Sequence, residues 1–555
     1  MKYSAVCFGG FYGLLLVACA TEAAPDTRHT VHYGETWHLH ADASELIESR
    51  EAFLNNRMDI HVKFPDGSTR VVPGYLSKSE DHDGLAFHAN LVIDQLGDYE
   101  IEIARCSGEK IAIRSTPCED VTVVNRVRWT AKDRDRRDFP PISALTQGEF
   151  RYLMQDGTPF LKTGAGSPEN ILAYADFDGT YDSGGATFPA LGEDQLHKFE
   201  PHLKDARADD PTWDDGKGAA LLGLFNYYEE VGVNSQYLVG MNIHGDGGDV
   251  SPWVVHDDPY VFDVSKLAQW QAVFEHANKR GVAIHFFFTE TENESFFETH
   301  DGMTIGEGFA PSRKLYYREM VARFGHLPMI IWNLGEENGV IGNSGEDPYR
   351  QPTSPKQRGE FADYIATLDT RGHPIVAHNW PDAEAALYSE LLGRPSFSGI
   401  SLQAHDNYFD KIVEWTEKSA AAGRPWMVSV DEPLGWEFGA RPDAEVERRN
   451  EILTVLWPAF LAGGAGVEWY FGWQNNAPTS DLSNEDQRSR DALWRASTQV
   501  RQFFETLPLT EMSARRDGDM MVFEGGGHRL EMVGETVTYT APNDTPRALD
   551  TFNPI

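Results

Sequence analysis

The sequence predicts an α/β protein: a closed (β/α)8 TIM barrel with an immunoglobulin-like β-sandwich before it and a short β segment after it. Eight strand-like apolar runs alternate with helix-length amphipathic stretches between residues 149 and 510, the pattern of repeated βα units. Residues 26–125 instead alternate apolar and polar positions over short runs broken by Gly, Pro and Asp, as antiparallel sandwiches do. No glycine-rich dinucleotide fingerprint follows any of the eight runs, which weakens the alternative of an open doubly wound sheet.

Five parts follow one another along the chain. They are a signal peptide at 1–24, the β-sandwich at 26–125, a charged linker at 126–148, the barrel at 149–510 and the C-terminal β segment at 511–555. The sandwich strands are expected at His32 to His40, Met58 to Phe64, Ala86 to Ile93 and Tyr99 to Ile103. A hairpin of Phe150 to Met154 and Phe160 to Thr163, turning at Asp156-Gly157, is expected before the barrel.

The first residues have the pattern of an export signal. The run from Phe8 to Ala18 is apolar or glycine throughout, which is too short to span a bilayer as a stable helix. It closes on Leu-Val-Ala-Cys19, which resembles the lipoprotein box of bacteria, in which the cysteine is lipid-modified. We therefore expect an outer-membrane lipoprotein, because Ala20 rather than Asp follows the cysteine. The alternative is an ordinary signal peptide cut after Ala20 or Ala24, which would give a periplasmic or secreted protein.

Two cysteines remain outside the signal, Cys106 and Cys118. They flank a short excursion between two strand-like runs, and no further zinc ligands stand nearby in the sequence. In an oxidising compartment such a pair is expected to form a structural disulfide.

Composition restricts the partners of this protein. The 555 residues include 86 Asp or Glu and 48 Lys or Arg, a net charge of −38. This excess argues against nucleic acid or an anionic membrane surface as the main partner, and mildly against a highly sulfated or uronate-rich ligand. The 14 Trp, 20 Tyr and 31 Phe exceed what a core needs and leave room for aromatic ligand platforms.

The barrel strands should position the chemistry, because active sites of this fold form at the C-terminal ends of the strands. The eight predicted strands are Phe160 to Thr163, Ser235 to Gly240, Val282 to Phe288, Met329 to Leu334, Pro374 to His378, Gly399 to Gln403, Trp426 to Val430 and Ala465 to Tyr470. The helices expected outside them include Lys266 to Lys279, Arg313 to Phe324, Gly359 to Thr370, Phe409 to Ala422 and Glu485 to Thr506.

Two of these strand ends carry carboxylates directly beyond an apolar run. The fourth continues into Glu336-Glu337, and the seventh continues into Asp431-Glu432. Strands four and seven lie on roughly opposite sides of a barrel mouth, where a sugar ring fits between them. Cleavage of a glycosidic bond needs such a pair, one carboxyl protonated and one ionised.

At these residues the sequence resembles the clan of retaining β-glycosidases with (β/α)8 barrels. In that clan the acid/base follows strand four in Trp-x-x-x-Asn-Glu, and here Trp332 leads to Glu337 in the acid/base place. Glu432 falls in the nucleophile place after strand seven. The run from Phe160 to Thr180 looks like the first-strand signature of the apiosidase-like branch, whose members often carry an N-terminal sandwich of uncharacterised function.

One departure from the clan pattern leaves the acid/base open. Glu336 replaces the usual asparagine, which commonly contacts the sugar 2-hydroxyl in the clan. A second carboxylate beside Glu337 could raise the pKa of that general acid, or Glu336 could itself be the acid. The register of the motif favours Glu337.

Other residues at the strand ends are candidates for substrate binding, because sugar rings stack on aromatics and their hydroxyls pair with polar side chains. They are Glu169, Asn170, His244, Asp246, Glu290, Glu292, Trp332, Asn333, Glu336, His378, Trp380, His405, Trp469, Tyr470 and Trp473. In the related clan an aromatic after strand eight floors the subsite at the cleaved bond, which favours Trp469 as the platform.

No cofactor or metal is expected. The pattern Asp176-x-Asp178-Gly179-x-x-Asp182 resembles a calcium loop only faintly, because the distal glutamate is missing. The sequence contains neither His-Glu-x-x-His nor Gly-x-Ser-x-Gly, so metalloprotease and serine hydrolase signatures are absent.

Together these features predict a hydrolase of plant or algal poly- or oligosaccharides that acts by double displacement. A retaining mechanism requires the two carboxyls about 5–5.5 Å apart, against about 6.5–9.5 Å for inversion. The alternatives are a carbohydrate-binding surface lipoprotein without catalysis and a polysaccharide lyase. The expected partner is a carbohydrate, with membrane contact only through the lipid anchor.

Overall fold

The computed structural model describes residues 12–15, 28–79, 84–118, 122–132, 144–147, 151–184, 196–339, 347–446, 449–473 and 479–554. A closed barrel of eight parallel strands forms its centre, and separate sheets lie before and after it in the chain. The predicted fold class is therefore confirmed. No helix among these residues combines the length and the apolar character needed to cross a bilayer.

The N-terminal part is a two-sheet sandwich. Its elements are β1 Tyr12–Leu15, β2 Arg28–His32, β3 Thr36–Asp42, α1 Arg50–Asn55, β4 Asn56–Lys63, β5 Thr69–Pro73, β6 Tyr75–Lys78, β7 Leu85–Val92, β8 Gly97–Ser107 and β9 Thr122–Lys132. One sheet has the order β1-β3-β7-β6, and the other β2-β9-β8-β4-β5. Cys106 at the end of β8 is bonded to Cys118, as predicted.

Part of the predicted linker belongs to the sandwich instead. Residues 126–132 continue β9, which pairs with both β2 and β8. Charged residues suggested an unstructured link, but Trp129 and Ala131 are buried while Arg128 is exposed. This alternation makes the segment a strand with one buried face. The rest of the predicted linker falls mostly outside the described residues.

A small sheet closes the N-terminal end of the barrel. It contains β10 Thr146–Gln147, β11 Leu153–Gln155 and β12 Thr158–Phe160. The hairpin turns at Asp156-Gly157, where both φ angles are positive (+50° and +80°), as a two-residue type I′ turn requires. Leu153 and Phe160 pack against Met329 and Met427 at the start of two barrel strands. The second predicted hairpin arm is thus divided between β12 and the first barrel strand.

The barrel strands agree with the predicted runs to within three residues at each end. They are β13 Lys162–Ala165, β14 Ser235–Val239, β15 Ala283–Phe287, β16 Ile330–Asn333, β17 Ile375–His378, β18 Gly399–Ala404, β19 Met427–Pro433 and β20 Gly466–Trp469. β13 pairs with β20 and closes the sheet. Because every pair is parallel, all eight C-terminal ends open on the same mouth.

Helices cover the outside of the barrel. They are α2 Ala219–Val231, α3 Val264–Lys279, α4 Phe296–His300, α5 Pro311–Phe324, α6 Pro355–Leu368, α7 Glu384–Tyr388, α8 Tyr408–Ala421, α9 Arg449–Glu451, α10 Trp457–Leu461 and α11 Asp491–Glu505. A capping box of Ser354 and Gln357 begins α6, and Asp263 caps α3. The predicted helices all exist, with α11 starting six residues later than expected.

The sandwich is attached to the barrel through polar contacts with α5. The guanidinium of Arg318 lies 2.9 Å from Oδ1 of Asp59, whose other oxygen lies 2.7 Å from Arg57. The side-chain amide of Asn90 donates to the carbonyl of Arg323 at 3.2 Å. All four side chains are buried, so the two domains share a desolvated interface.

The C-terminal part is one antiparallel sheet of β21 Met512–Asp517, β22 Met520–Gly525, β23 His528–Val533, β24 Thr536–Thr540 and β25 Arg547–Ala548. Phe504 of α11 packs against Phe523, and Phe503 packs edge-on against Tyr539. The apolar face of α11 therefore binds this sheet to the barrel.

Candidate active site

A charged network fills the barrel below its mouth. The ammonium of Lys162 lies 2.7 Å from Oδ1 of Asp431 and 3.3 Å from Oε2 of Glu468. Nδ1 of His285 lies 2.7 Å from the same Glu468 oxygen, and its Nε2 lies 3.0 Å from the amide nitrogen of Asn333. All five side chains are fully buried. Asn333, the last residue of β16 and a predicted substrate contact, thus belongs to this interior network through its contact with His285.

The end of β19 carries a β-bulge that determines where the next two carboxylates lie. Leu402 of β18 pairs with Val430, but Gln403 pairs with Glu432, so that Asp431 is the extra residue. In a regular strand, Asp431 and Glu432 would point to opposite faces. The bulge lets Asp431 enter the interior network while Glu432 faces the mouth.

Gln403 of the neighbouring strand β18 holds Glu432, and His378 of β17 lies close to it. The amide of Gln403 donates to Oε1 of Glu432 at 2.7 Å, and Nε2 of His378 lies 3.3 Å from Oε2. The other ring nitrogen of His378 contacts the hydroxyl of Ser401 at 3.1 Å. Glu432 is only 6% exposed, so its carboxylate is fixed at the base of the mouth.

The end of β16 presents Glu336 and Glu337. The amide of Glu336 donates to the carbonyl of Thr289 at 2.9 Å, which ties this loop to the end of β15. Glu337 has a left-handed backbone (φ +46°), so the two successive side chains point in different directions. Glu337 lies near Gln403, and near enough to Glu432 for the negative charge of Glu432 to raise the pKa of Glu337. The two carboxyls therefore lie near each other at the mouth.

Glu336 instead joins a second group of carboxylates. One oxygen each of Glu169, Glu290 and Glu336 lies within 4.8 Å of the other two. These residues follow β13, β15 and β16. Asp246, which follows β14, is half-buried beside them. The mouth thus concentrates carboxylates from consecutive strands.

Burial and mutual repulsion shift the protonation of this group. The pKa of Glu336 is raised well above its usual value by burial and by the negative charges of Glu432 and Glu337. Burial, Glu432 and Glu292 raise the pKa of Glu337 in the same way. The pKa of Glu169 is raised by burial and then by the negative charge of Glu336.

Further members of the mouth were not identified from the sequence. Asp481 lies in the loop after β20, where burial and Glu432 raise its pKa to about 7 and a hydrogen bond from Ser167 opposes the shift. Tyr237 of β14 lies on the floor of the mouth, next to Glu336 and Glu432. Asp481 is twelve residues beyond β20, and no sequence pattern marks it. The position of Tyr237 within β14 could have indicated that its side chain points into the barrel.

Two predicted aromatic contacts lie outside the barrel interior. Trp469 is fully buried and its indole N–H donates to Ser497 of α11 at 3.0 Å. Trp332 is fully buried as well and donates to Asp369 at 2.8 Å. Side chains of a barrel strand alternate between lumen and helices, and both tryptophans have the outward parity. The expectation that Trp469 floors the sugar site is therefore wrong, and Trp332 packs in the outer core.

The remaining predicted residues are distributed between the mouth and its rim. Glu292 and Tyr470 lie in the mouth, with Glu292 3.4 Å from Arg350. His244 is an exposed rim residue stacked on Tyr349, with 4.2 Å between ring centroids. Asn170 is buried and accepts a hydrogen bond from His197 at 2.8 Å, which indicates a structural role.

An aromatic cleft lies beside the mouth, after β19. Trp436 is 41% exposed and stacks on Trp473, with 5.1 Å between ring centroids and 18° between the planes. His405, another predicted residue, lines the cleft with Trp436 and is exposed. Trp380 is half-buried after β17. The tryptophan pair is an aromatic surface of the kind that stacks against sugar rings.

Fold and mouth together define a (β/α)8-barrel protein with paired carboxylates at the ends of strands four and seven. A candidate glycoside hydrolase from Bacteroides vulgatus ATCC 8482 has the same fold: it aligns with a TM-score of 0.58 and 11% identity, over 90% of this chain and 83% of that chain. An endo-β-1,4-mannanase from Thermotoga petrophila aligns with a TM-score of 0.37 and 12% identity, over 59% and 93% of the two chains. A family 5 mannosidase from Rhizomucor miehei aligns with a TM-score of 0.38 and 11% identity, over 67% of this chain and 99% of that chain. No protein-family model and no curated protein matches the sequence.

Proposed function

We propose that this protein is a glycoside hydrolase that cleaves O-glycosidic bonds of plant or algal poly- or oligosaccharides. The observation that carries the proposal is that Glu337 and Glu432, which follow strands four and seven, lie near each other and near Gln403 at the barrel mouth. Glycosidic hydrolysis needs two carboxyls that flank one bond. The sequence motifs and the fold shared with the Bacteroides vulgatus protein support the same class.

Glu432 is the proposed nucleophile. Its carboxylate attacks the anomeric carbon, while Glu337 transfers a proton to the leaving oxygen and the glycosidic C–O bond breaks. Glu337 then removes a proton from water, which attacks the glycosyl ester and releases Glu432. This sequence retains the anomeric configuration. Gln403 supports the assignment, because its hydrogen bond fixes one oxygen of Glu432 before substrate arrives.

The finer family assignment is part of the same proposal. The segment from Trp332 to Glu337 and the run from Phe160 to Thr180 favour the apiosidase-like branch of the retaining β-glycosidase clan. The sandwich in front of the barrel agrees with that branch.

A screen of the mature protein against plant and algal polysaccharides and aryl glycosides tests the proposal by measuring released sugars. We expect hydrolysis, with the product anomer seen first by NMR having the configuration of the substrate. Glu432→Gln should lower kcat by at least about 10³-fold, while Glu417→Gln, a matched change on the exposed face of α8, should leave it unchanged. A Glu432→Gln protein that hydrolyses the substrate at the original rate would refute the assignment, and binding without hydrolysis would favour a carbohydrate-binding protein.

We also propose that the protein is exported and anchored through a lipid on Cys19. The run from Leu16 to Cys19, which lies outside the described residues, supports this proposal. The Cys106–Cys118 bond is consistent with an oxidising compartment. Labelling of growing cells with a fatty-acid analogue should mark the protein, and Cys19→Ser should lose both the label and the membrane fraction. A labelled Cys19→Ser protein would contradict the proposal.

A further inference from the structure

Two groups of potential metal ligands occur among the described residues, and they differ in how their charge is balanced. The interior group is His285, Asp431 and Glu468, and the mouth group is Glu169, Glu290 and Glu336. The interior carboxylates have the ammonium of Lys162 within 3.3 Å. In the mouth group, no Lys or Arg side chain of the described residues lies within 4.0 Å of any of the three carboxylates; the nearby Arg350 pairs with Glu292 instead.

An unsatisfied oxygen lies in the mouth group. Glu290 is 1% exposed, and its Oε1 accepts a hydrogen bond from Asn293 at 3.2 Å. Its Oε2 is buried without a hydrogen-bond partner among the described residues. A buried carboxylate oxygen with no donor is costly in free energy, so its presence indicates a ligand that supplies positive charge.

The position of Glu290 is built into the loops around it. The backbone passes so close at Gly245 that a Cβ there would overlap Oε1 of Glu290, so a larger residue would displace this carboxylate. Asn293 both donates to the Glu290 carboxylate and accepts from the Glu290 amide at 3.0 Å. The backbone N–H of Glu169 donates to Oδ1 of Asp481 at 3.3 Å, which ties the loop after β13 to the loop after β20. These loops bring the three carboxylates close together although they repel one another.

We propose that Glu169, Glu290 and Glu336 bind a hard divalent cation, with Ca²⁺ as the preferred ion. Ca²⁺ is coordinated by carboxylate oxygens at about 2.3–2.6 Å, so two ligands of one ion lie at most about 5 Å apart. The oxygens here lie within 4.8 Å of one another. A donor set made only of oxygen favours Ca²⁺, Mg²⁺ or Mn²⁺ over Zn²⁺ or Cu²⁺, and irregular carboxylate clusters suit Ca²⁺ best.

This proposed site differs from the sequence expectation of no metal. Its ligands follow three separate strands and form no local motif, so no sequence pattern indicates it. Half-buried Asp246 lies beside the group as a further oxygen donor. If the proposed hydrolase function holds, we expect sugar hydroxyls in the mouth to complete the coordination of the ion. With Glu336 engaged as a ligand, Glu337 remains as the acid/base.

Calorimetry of the full-length mature protein after EDTA treatment tests the site, with CaCl₂ as the titrant and no sugar present. We expect one Ca²⁺ per chain and a rise in Tm of about 2–5 °C at hundredfold excess over Kd. Glu290→Gln and Glu336→Gln should each weaken binding at least tenfold, whereas Glu417→Gln on the surface of α8 should not change it. Circular dichroism of each ion-free variant establishes that it is folded.

Glu432→Gln separates this inference from the proposed hydrolysis, because it should abolish turnover and still bind the ion. A protein that hydrolyses sugars but binds no Ca²⁺, Mg²⁺ or Mn²⁺ would overturn the metal site alone. Equal weakening by Glu417→Gln and Glu290→Gln would also overturn it, since the binding would then be diffuse. If D-glucosamine raises the Tm and the metal ions do not, the cluster is a site for the ammonium of an amino sugar, and the metal assignment is wrong.

Discussion

Lys162 and Asp431 form a buried ion pair with 2.7 Å between Nζ and Oδ1, and Asp431 directly precedes the candidate nucleophile Glu432. Asp431 is the extra residue of the bulge in β19, and the hydroxyl of Ser429 donates to its second oxygen at 2.7 Å. The first barrel strand therefore holds the seventh at the point where the chain turns Glu432 toward the mouth. The ion pair connects the stability of the barrel with the geometry of the active site.

Replacement of Lys162 by methionine should destabilise the protein strongly. The substitution keeps most of the length of the side chain but leaves Asp431 and Glu468 buried without their cation. Removing one partner of a buried pair costs about 3–5 kcal/mol in the free energy of unfolding. Urea unfolding followed by fluorescence measures this loss. Lys418→Met, at an exposed pair with Glu414 on α8, should change stability by less than about 1 kcal/mol. Equal effects of the two substitutions would show that the interior network does not stabilise the barrel.

Asp59 should make the attachment of the sandwich sensitive to acid. Burial alone would raise its pKa, but the guanidinium groups of Arg318 and Arg57 outweigh burial and hold the pKa below its usual value. A carboxyl with a depressed folded-state pKa adds stability above its unfolded pKa, which is about 3.9 for Asp, and loses it as the pH falls through the folded value.

Asp59→Asn should therefore unfold more easily at pH 7, and its deficit relative to the unmodified protein should shrink below about pH 4. Thermal unfolding between pH 3 and pH 7 measures this difference. Asp410→Asn, which removes an exposed pair with Arg516, provides the matched control and should show a small deficit. A deficit for Asp59→Asn that is constant over this range would contradict a role for the charge.

The sequence predicts the eight barrel strands because each is a short apolar run, and it predicts both catalytic candidates because carboxylates follow strands four and seven. Side-chain parity was harder to predict. Glu468 in an otherwise apolar strand indicates a lumen-facing position, which would have placed its neighbour Trp469 outside, against α11. The bulge at Asp431 follows no local pattern, because only pairing with β18 creates it. Asp481 reaches the mouth through the path of a loop, which depends on tertiary packing.

Chemical rescue should distinguish Glu336 from Glu337 as the acid/base. Loss of a general acid slows hydrolysis by about 10²–10⁴-fold for poor leaving groups, but dinitrophenyl glycosides leave without a proton. In Glu337→Ala, azide should enter the space of the missing carboxylate, accelerate turnover and yield a glycosyl azide of retained configuration. Glu336→Ala serves as the adjacent control, for which we expect no acceleration. Rescue of Glu336→Ala alone would exchange the two roles.

The stacked pair of Trp436 and Trp473 should bind sugar units beyond the cleaved bond. Trp436 is four residues after Glu432, and the exposed face of its indole lines the cleft beside the mouth. Aromatic stacking contributes about 0.5–1.5 kcal/mol, so Trp436→Ala should raise KM for a polysaccharide about 2- to 10-fold. Because the same contact exists in the ground state and the transition state, kcat should not change.

Steady-state kinetics on a polysaccharide and on an aryl monosaccharide test this, since the small substrate does not reach the pair and should keep its KM. Trp37→Ala in the sandwich, where Trp37 packs on Trp129 with 4.7 Å between ring centroids, should leave both KM values unchanged. An equal rise in KM for the two substrates would place the effect of Trp436 at the catalytic carboxylates instead of at a separate sugar contact.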